Sequence, residues 1–142
     1  MMKGVAGIQI ELTTKEFRRL LDMVYIGNWI LNSCRENDRF EDYDNLEEKL
    51  FALCPGQGMS ALAQTWRGHV YPSRAYEEGG IHEAIADYED AIFFDILAEE
   101  LARRDMDYDH INPEDLAELT ARMDEYFSEF EKHGIENVKV DM

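Results

Sequence analysis

Thr13-Thr14-Lys15-Glu16-Phe17-Arg18-Arg19-Leu20-Leu21-Asp22-Met23-Val24-Tyr25-Ile26-Gly27-Asn28-Trp29-Ile30-Leu31 decides the reading of the fold. Threonine followed three residues later by glutamate is the spacing of a capping box, in which each side chain satisfies a backbone N–H at a helix start. Phe17, Leu20, Leu21 and Val24 then fall on one helical face, with Arg18, Arg19 and Asp22 elsewhere. From Val24 to Leu31 the chain is apolar nearly all round, interrupted at Gly27 and Asn28. The pattern predicts a helix to about Cys34 whose second half is central in the fold.

Three further helices follow by the same reasoning. Tyr43, Leu46, Leu50 and Leu53 mark the apolar stripe of a helix over about 41–53, stopped by Pro55-Gly56. Residues 59–66 are compatible with a short helix, and 67–80 reads as loop, punctuated by Gly68, Pro72 and Gly79-Gly80. The longest helix is expected over about 81–106, with Glu83 near its start and Arg103-Arg104 near its end, both matched to the helix dipole. Ala84, Ala91 and Ala98 recur along it every seven residues, a spacing that permits close approach of another helix. Asn112-Pro113-Glu114-Asp115 reads as a helix start, and Gly134 as its end. Leu116, Leu119, Met123, Phe127 and Phe130 mark the buried face between them. Alternation in Ile8-Gln9-Ile10-Glu11-Leu12 and in Val138-Lys139-Val140 predicts short strands near the two ends. The predicted fold is mainly α: a compact bundle of four to five helices with short strands at the two termini, in a single domain over 1–142.

Composition bounds function. Of 142 residues, 31 are Asp or Glu against 14 Lys or Arg, a formal net charge of −17. Such a chain repels nucleic acid and anionic membrane and attracts basic proteins. No apolar run approaches the roughly 20 residues that span a bilayer, and Met1 to Gly7 is too short in apolar residues for a signal peptide. A cytoplasmic location is expected. Cys34 and Cys54 fit it as free thiols, both read as small buried hydrophobes.

The motifs fail at their discriminating positions. Asp105-Met106-Asp107-Tyr108-Asp109 opens like a calcium loop, but His110 stands where Gly is needed and Leu116 where a bidentate Glu is needed. His82-Glu83 lacks the second histidine of a zincin helix, and no Glu-x-x-His pair of a di-iron bundle occurs. Gly56-Gln57-Gly58-Met59-Ser60-Ala61 matches a dinucleotide fingerprint in letters, yet a helical stripe precedes it rather than a strand. Glu47-Glu48 lacks the third acid of an E-E-x-x-E magnesium helix. Glu83, Asp87 and Asp90 share a helical face that reads as solvated, and Asp95 is expected to be a buried acid paired with Arg18, Arg19 or Arg74. No metal and no cofactor is expected.

One window stands out. The 28 residues from Lys49 to Tyr76 contain no acid. Within it, Trp66, Arg67, His69, Tyr71 and Arg74 combine planar cations with aromatic walls, a composition suited to an anionic ligand or to a protein interface. The leading expectation is an acidic cytoplasmic binding or regulatory module acting through protein–protein contacts with a basic partner, or as a homodimer, rather than an enzyme. The alternative is a small enzyme or ligand-binding protein that holds an anionic metabolite through the 66–76 segment.

Overall fold

The computed structural model describes residues 7–107 and 111–142. Its chain is mainly α, as the periodicities predict: α1 (Thr14–Asn32), α2 (Glu41–Phe51), β1 (Ala63–Trp66), β2 (His69–Pro72), the single turn α3 (Arg74–Tyr76), α4 (His82–Asp105) and α5 (Leu116–His133). Two compact units divide it, Met1–Glu83 and Ala84–Met142.

In the first unit α1 begins with the predicted box. Thr13 Oγ1 accepts from the Glu16 N–H, and Glu16 Oε1 accepts from the Thr13 N–H, both at 3.1 Å. Phe17, Leu21, Tyr25, Asn28 and Asn32 form its buried line, which advances by three or four residues as one helical face must. The second half is less central than its composition suggests, because Ile30 is exposed and Trp29 is at the margin. Tyr76 closes the core of this unit. Its ring meets Phe51 at 5.0 Å and Tyr25 at 5.2 Å between centroids, both edge-on, and its hydroxyl donates to Asp22.

α2 departs from its predicted orientation. Its buried residue is Phe51, while Tyr43, Leu46 and Leu53 of the apolar stripe are 43, 48 and 52% exposed. Asp44, Glu47 and Glu48 are half-buried instead. The reason lies on α1, where Asn28 and Asn32 are buried and need hydrogen-bond partners.

The sheet lies elsewhere than expected. Residues 8–12 and 138–140 form no strand, while β1 and β2 pair antiparallel inside the segment read as short helix and loop, with Ala63 opposite Pro72 and Trp66 opposite His69. Arg67 (φ 51°) and Gly68 (φ 79°) both adopt left-handed backbone, which is what a two-residue type I′ hairpin turn requires. Gly dominates such turns, and an Arg at the first position hid the hairpin from sequence reading. Tyr76 and Gly79-Gly80 then lead into α4 through an irregular helical turn that kinks at Gly80 (φ 111°), a conformation open to glycine.

In the second unit α4 and α5 meet through Phe94 and Phe130, 5.3 Å apart. The Tyr126 hydroxyl donates to Asp105, which also accepts from Arg104. Asn112 and Asp115 form a reciprocal cap ahead of α5, and Gly134 (φ 55°) ends it as predicted. Leu119 and Phe130 are buried, whereas Leu116 is exposed. Of the heptad alanines only Ala98 is buried, and Asp95 is exposed rather than buried. The arginines expected to reach Asp95 pair locally, Arg18 and Arg19 with Asp22 and Arg74 with Glu78. Tyr108, Asp109 and His110 of the calcium-like run lie outside the described residues.

Inversion of α2 separates two substitutions that a simple amphipathic reading would reverse in severity. Phe51→Ala is expected to lower stability by about 3–5 kcal/mol, the range for emptying a buried aromatic site. Tyr43→Ala, outward on the same helix, is expected to cost about 1 kcal/mol or less. Urea unfolding of the two variants checks the order.

Candidate functional site

Tyr25, Asn28, Trp29 and Asn32 are spaced so that they stand on one face of α1. Opposite them α2 presents Asp44, Glu47 and Glu48, again one face. The connection between the helices carries Arg39. Together these groups form a polar network unlike the apolar seam that usually joins two helices.

Asn32, 1% exposed, is satisfied on both sides of its amide. Its Nδ2 donates to Asn28 Oδ1 (2.7 Å) and to the Phe40 carbonyl (3.1 Å), and its Oδ1 accepts from the Phe40 N–H (2.8 Å). Asn28 Nδ2 donates to Asp44 Oδ1 (3.0 Å) and Glu47 Oε2 (3.2 Å). Arg39 grips Asp44 with two prongs, Nε at 2.9 Å and Nη2 at 2.7 Å, while its Nη1 donates to the Asn32 carbonyl. A planar guanidinium fork matched to a carboxylate is the strongest geometry of this kind. It holds the Asp44 carboxyl below its ordinary range, with Asn28 adding to the effect.

Glu48 is used differently. It accepts from the Val70 N–H (3.0 Å) and meets His69 Nδ1 (3.1 Å), tying β2 to α2. The backbone donor, then His69, lowers its pKa. Glu47 is left with Asn28 as its hydrogen-bond donor. Burial, then the neighbouring charges of Asp44 and Glu77, push its carboxyl up to about 7, and Asn28 and the Arg39 charge offset only part of this.

Two clefts flank the network and share Arg39 and Glu47. One, of about 240 Å³, is lined by Tyr25, Asn28, Trp29, Ser33, Arg39 and Glu47. The other, of about 400 Å³, adds Asp44, Glu48, His69, Val70 and Tyr71. The Tyr25 and Trp29 rings are stacked at 6.2 Å and 25°. His82 stands edge-on to both, 4.8 Å from Trp29, and shares a 2.7 Å hydrogen bond with the Tyr25 hydroxyl. Burial and the charges of Glu77 and Glu47 push the Tyr25 hydroxyl up to about 12, so it stays neutral at ordinary pH.

Of the five residues singled out in the sequence, the hairpin brings His69 and Tyr71 to the larger cleft. Trp66 and Arg67 sit at the exposed turn, the guanidinium 4.3 Å over the indole. Arg74 lies past the sheet, exposed and 2.6 Å from Glu78. The five do not converge. Two acids outside the acid-free window, Glu48 and Glu78, reach His69 and Arg74. Tyr25, Asn28, Trp29, Arg39, Asp44 and Glu47 were not singled out as site residues. The signal for them was an asparagine inside an apolar run, with a second asparagine one helical turn later.

Among the described residues no three His, Cys, Asp or Glu side chains are placed to hold a metal ion. Cys54 is buried, and burial pushes its thiol up; Cys34 is exposed, contrary to the reading of both as buried. No known protein family, curated protein or solved structure matches the chain.

Because Glu47 is more readily protonated in the folded chain than in the unfolded one, its contribution to stability is fully present below about pH 4.5 and is lost as pH rises through about 7. At pH 8 Glu47→Gln is therefore expected to be more stable than the parent by on the order of 1 kcal/mol, a figure reduced for the solvent that reaches this half-buried group. At pH 5 the gain should vanish. Thermal or urea unfolding at the two pH values tests this, and equal differences at both would show that the Glu47 charge is not the cause.

Proposed function

We propose that the chain is an acidic binding or regulatory module of the cytoplasm that acts through contacts with a basic protein partner. The observation that supports it most is the orientation of α2. Tyr43, Leu46 and Leu53 face outward at about half exposure, while Asp44 and Glu47 turn toward Asn28 of α1. An exposed apolar stripe rimmed by charge is the kind of surface a partner covers.

Charge supports the sign of the partner. Arg18, Arg39, Arg74, Arg103, Arg104 and Arg122 all form ion pairs with acids of the chain itself. The net charge of −17 is therefore presented outward with little local cation to recognise an anion. Long-range attraction of a basic partner would speed encounter, and the apolar stripe would supply affinity. A second copy of the chain would bring like charge to the same surface, which favours a basic partner over a homodimer. Among the described residues no helix is long and apolar enough to cross a membrane. An anionic metabolite held through Trp66, Arg67, His69, Tyr71 and Arg74 is less favoured, because Asp44, Glu47 and Glu48 line the cleft that His69 and Tyr71 reach.

Capture from an extract of the source cells at low and high salt, followed by titration of the purified partner, tests the reading. The pair Leu46→Ser and Leu53→Ser is expected to weaken the complex about tenfold or more, and salt to slow its association. A partner bound equally well by the double variant, or one whose association is indifferent to salt, would overturn it. Light scattering shows whether the covering partner is instead a second copy.

A further inference from the structure

We propose that the smaller cleft, walled by Tyr25 and Trp29 and floored by Glu47, is a binding site for an alkylammonium group. The proposal names a contact the basic partner would make, and to that extent it rests on the preceding reading.

Three features converge. The first is the wall: Tyr25 and Trp29 are stacked, Trp29 is 36% exposed, and His82 meets both rings by edge contacts. Aromatic faces attract cations through their quadrupole, tryptophan most strongly. The second is the carboxylate. Glu47 lines the cleft with Asn28 Nδ2 as its hydrogen-bond donor, whereas the neighbouring acids are satisfied, Asp44 by both prongs of Arg39 and Glu48 by Val70 and His69. Arg39 also lines the cleft, but its Nε and Nη2 are engaged by Asp44 and its Nη1 by the Asn32 carbonyl. The third is size. At about 240 Å³ the cleft falls below the roughly 300–1,000 Å³ of pockets for drug-sized ligands. It suits one side chain or one small amine. A bound metal ion is not favoured, since no three ligating side chains are suitably placed among the described residues.

Protonation makes the site readable. The charged and titratable groups around Glu47 are Tyr25 on α1, Arg39 in the connection, Asp44 and Glu48 on α2, and Glu77 after α3, with His82 at the start of α4 touching the Tyr25 and Trp29 rings. An ammonium group needs Glu47 ionised, so binding competes with a proton on a carboxyl raised to about 7. Affinity should therefore rise about tenfold from pH 6 to pH 8. His82 also touches both rings of the wall, which makes the Glu47 variant the deciding comparison.

The test is a titration of the full chain with n-butylammonium chloride and, separately, with N-acetyl-lysine methylamide, followed at the Trp29 indole N–H by ¹H–¹⁵N spectra. Trp66→Phe assigns the two indole signals, and 1-butanol is the uncharged control. Both ammonium probes are expected to move the Trp29 signal saturably, more tightly at pH 8. Glu47→Gln should weaken binding roughly tenfold at pH 8 and flatten its pH dependence, and Trp29→Ala should weaken it several-fold while Trp29→Phe retains most of it. The dispersion of the amide spectrum shows that each variant is folded. Equal response to 1-butanol, or an unchanged isotherm or pH profile in Glu47→Gln, would overturn the site. Binding of butylammonium without the lysine amide would retain the site but assign it to a free amine, overturning the partner's lysine as its source. Failure of both probes while the α2 stripe still binds a partner removes this site alone. Binding of the probes by a chain with no basic partner removes the partner reading alone.

Discussion

Two buried amides govern the arrangement of the first unit. Asn28 and Asn32 stand one turn apart on α1, bonded to each other, and a buried amide left without partners would cost about as much as a lost core contact. Their needs are met by a backbone segment, Phe40, and by the acids of α2. Once α2 has turned Asp44 and Glu47 inward to serve them, its apolar stripe must face outward, because a helix cannot present both faces to one neighbour. The core then closes around Phe51 and Tyr76 rather than around the leucines.

The same arrangement sorts the charges. Arg39 neutralises Asp44, and the β2 backbone with His69 satisfies Glu48, but Glu47 is half-buried with Arg39 acting on it only through space. A carboxyl in that position is caught between desolvation and neighbouring negative charge, which is why it holds its proton so far above the ordinary range. Stacked aromatic rings beside it complete a small cleft whose electrostatics favour cations. The outward stripe and the inward carboxylate are thus two results of one orientation, and both bear on what the surface can recognise.

The helices were legible because their signals are local. Thr13 and Glu16, Asn112 and Pro113, and Gly134 act on backbone groups within one turn, and each performs the role its chemistry predicts. The hairpin was not legible, since its turn places Arg67 in a left-handed conformation usually left to glycine or asparagine. The site was half legible. His69 and Tyr71 reach a cleft as expected, but Trp66, Arg67 and Arg74 were grouped with them by adjacency in sequence, and a hairpin turn and a helix start carry them to other places. Asp95 was read as buried because apolar residues surround it on the helical wheel, yet that side of α4 is open at this level.

By itself the sequence determined that this chain is helical, acidic and capped at the starts of α1 and α5, because propensity, capping and net charge depend on residues no more than a turn apart or on composition alone. Only the tertiary structure decided which face of α2 is buried, which acids are paired, and which carboxylate is enclosed without a direct ion pair. Those outcomes depend on Asn28 meeting Glu47 and on Glu48 meeting Val70, contacts across 19 and 22 residues. Hydrogen-bond satisfaction of a buried amide outweighed the apolar period of the helix it faces, and no period along the chain records that competition.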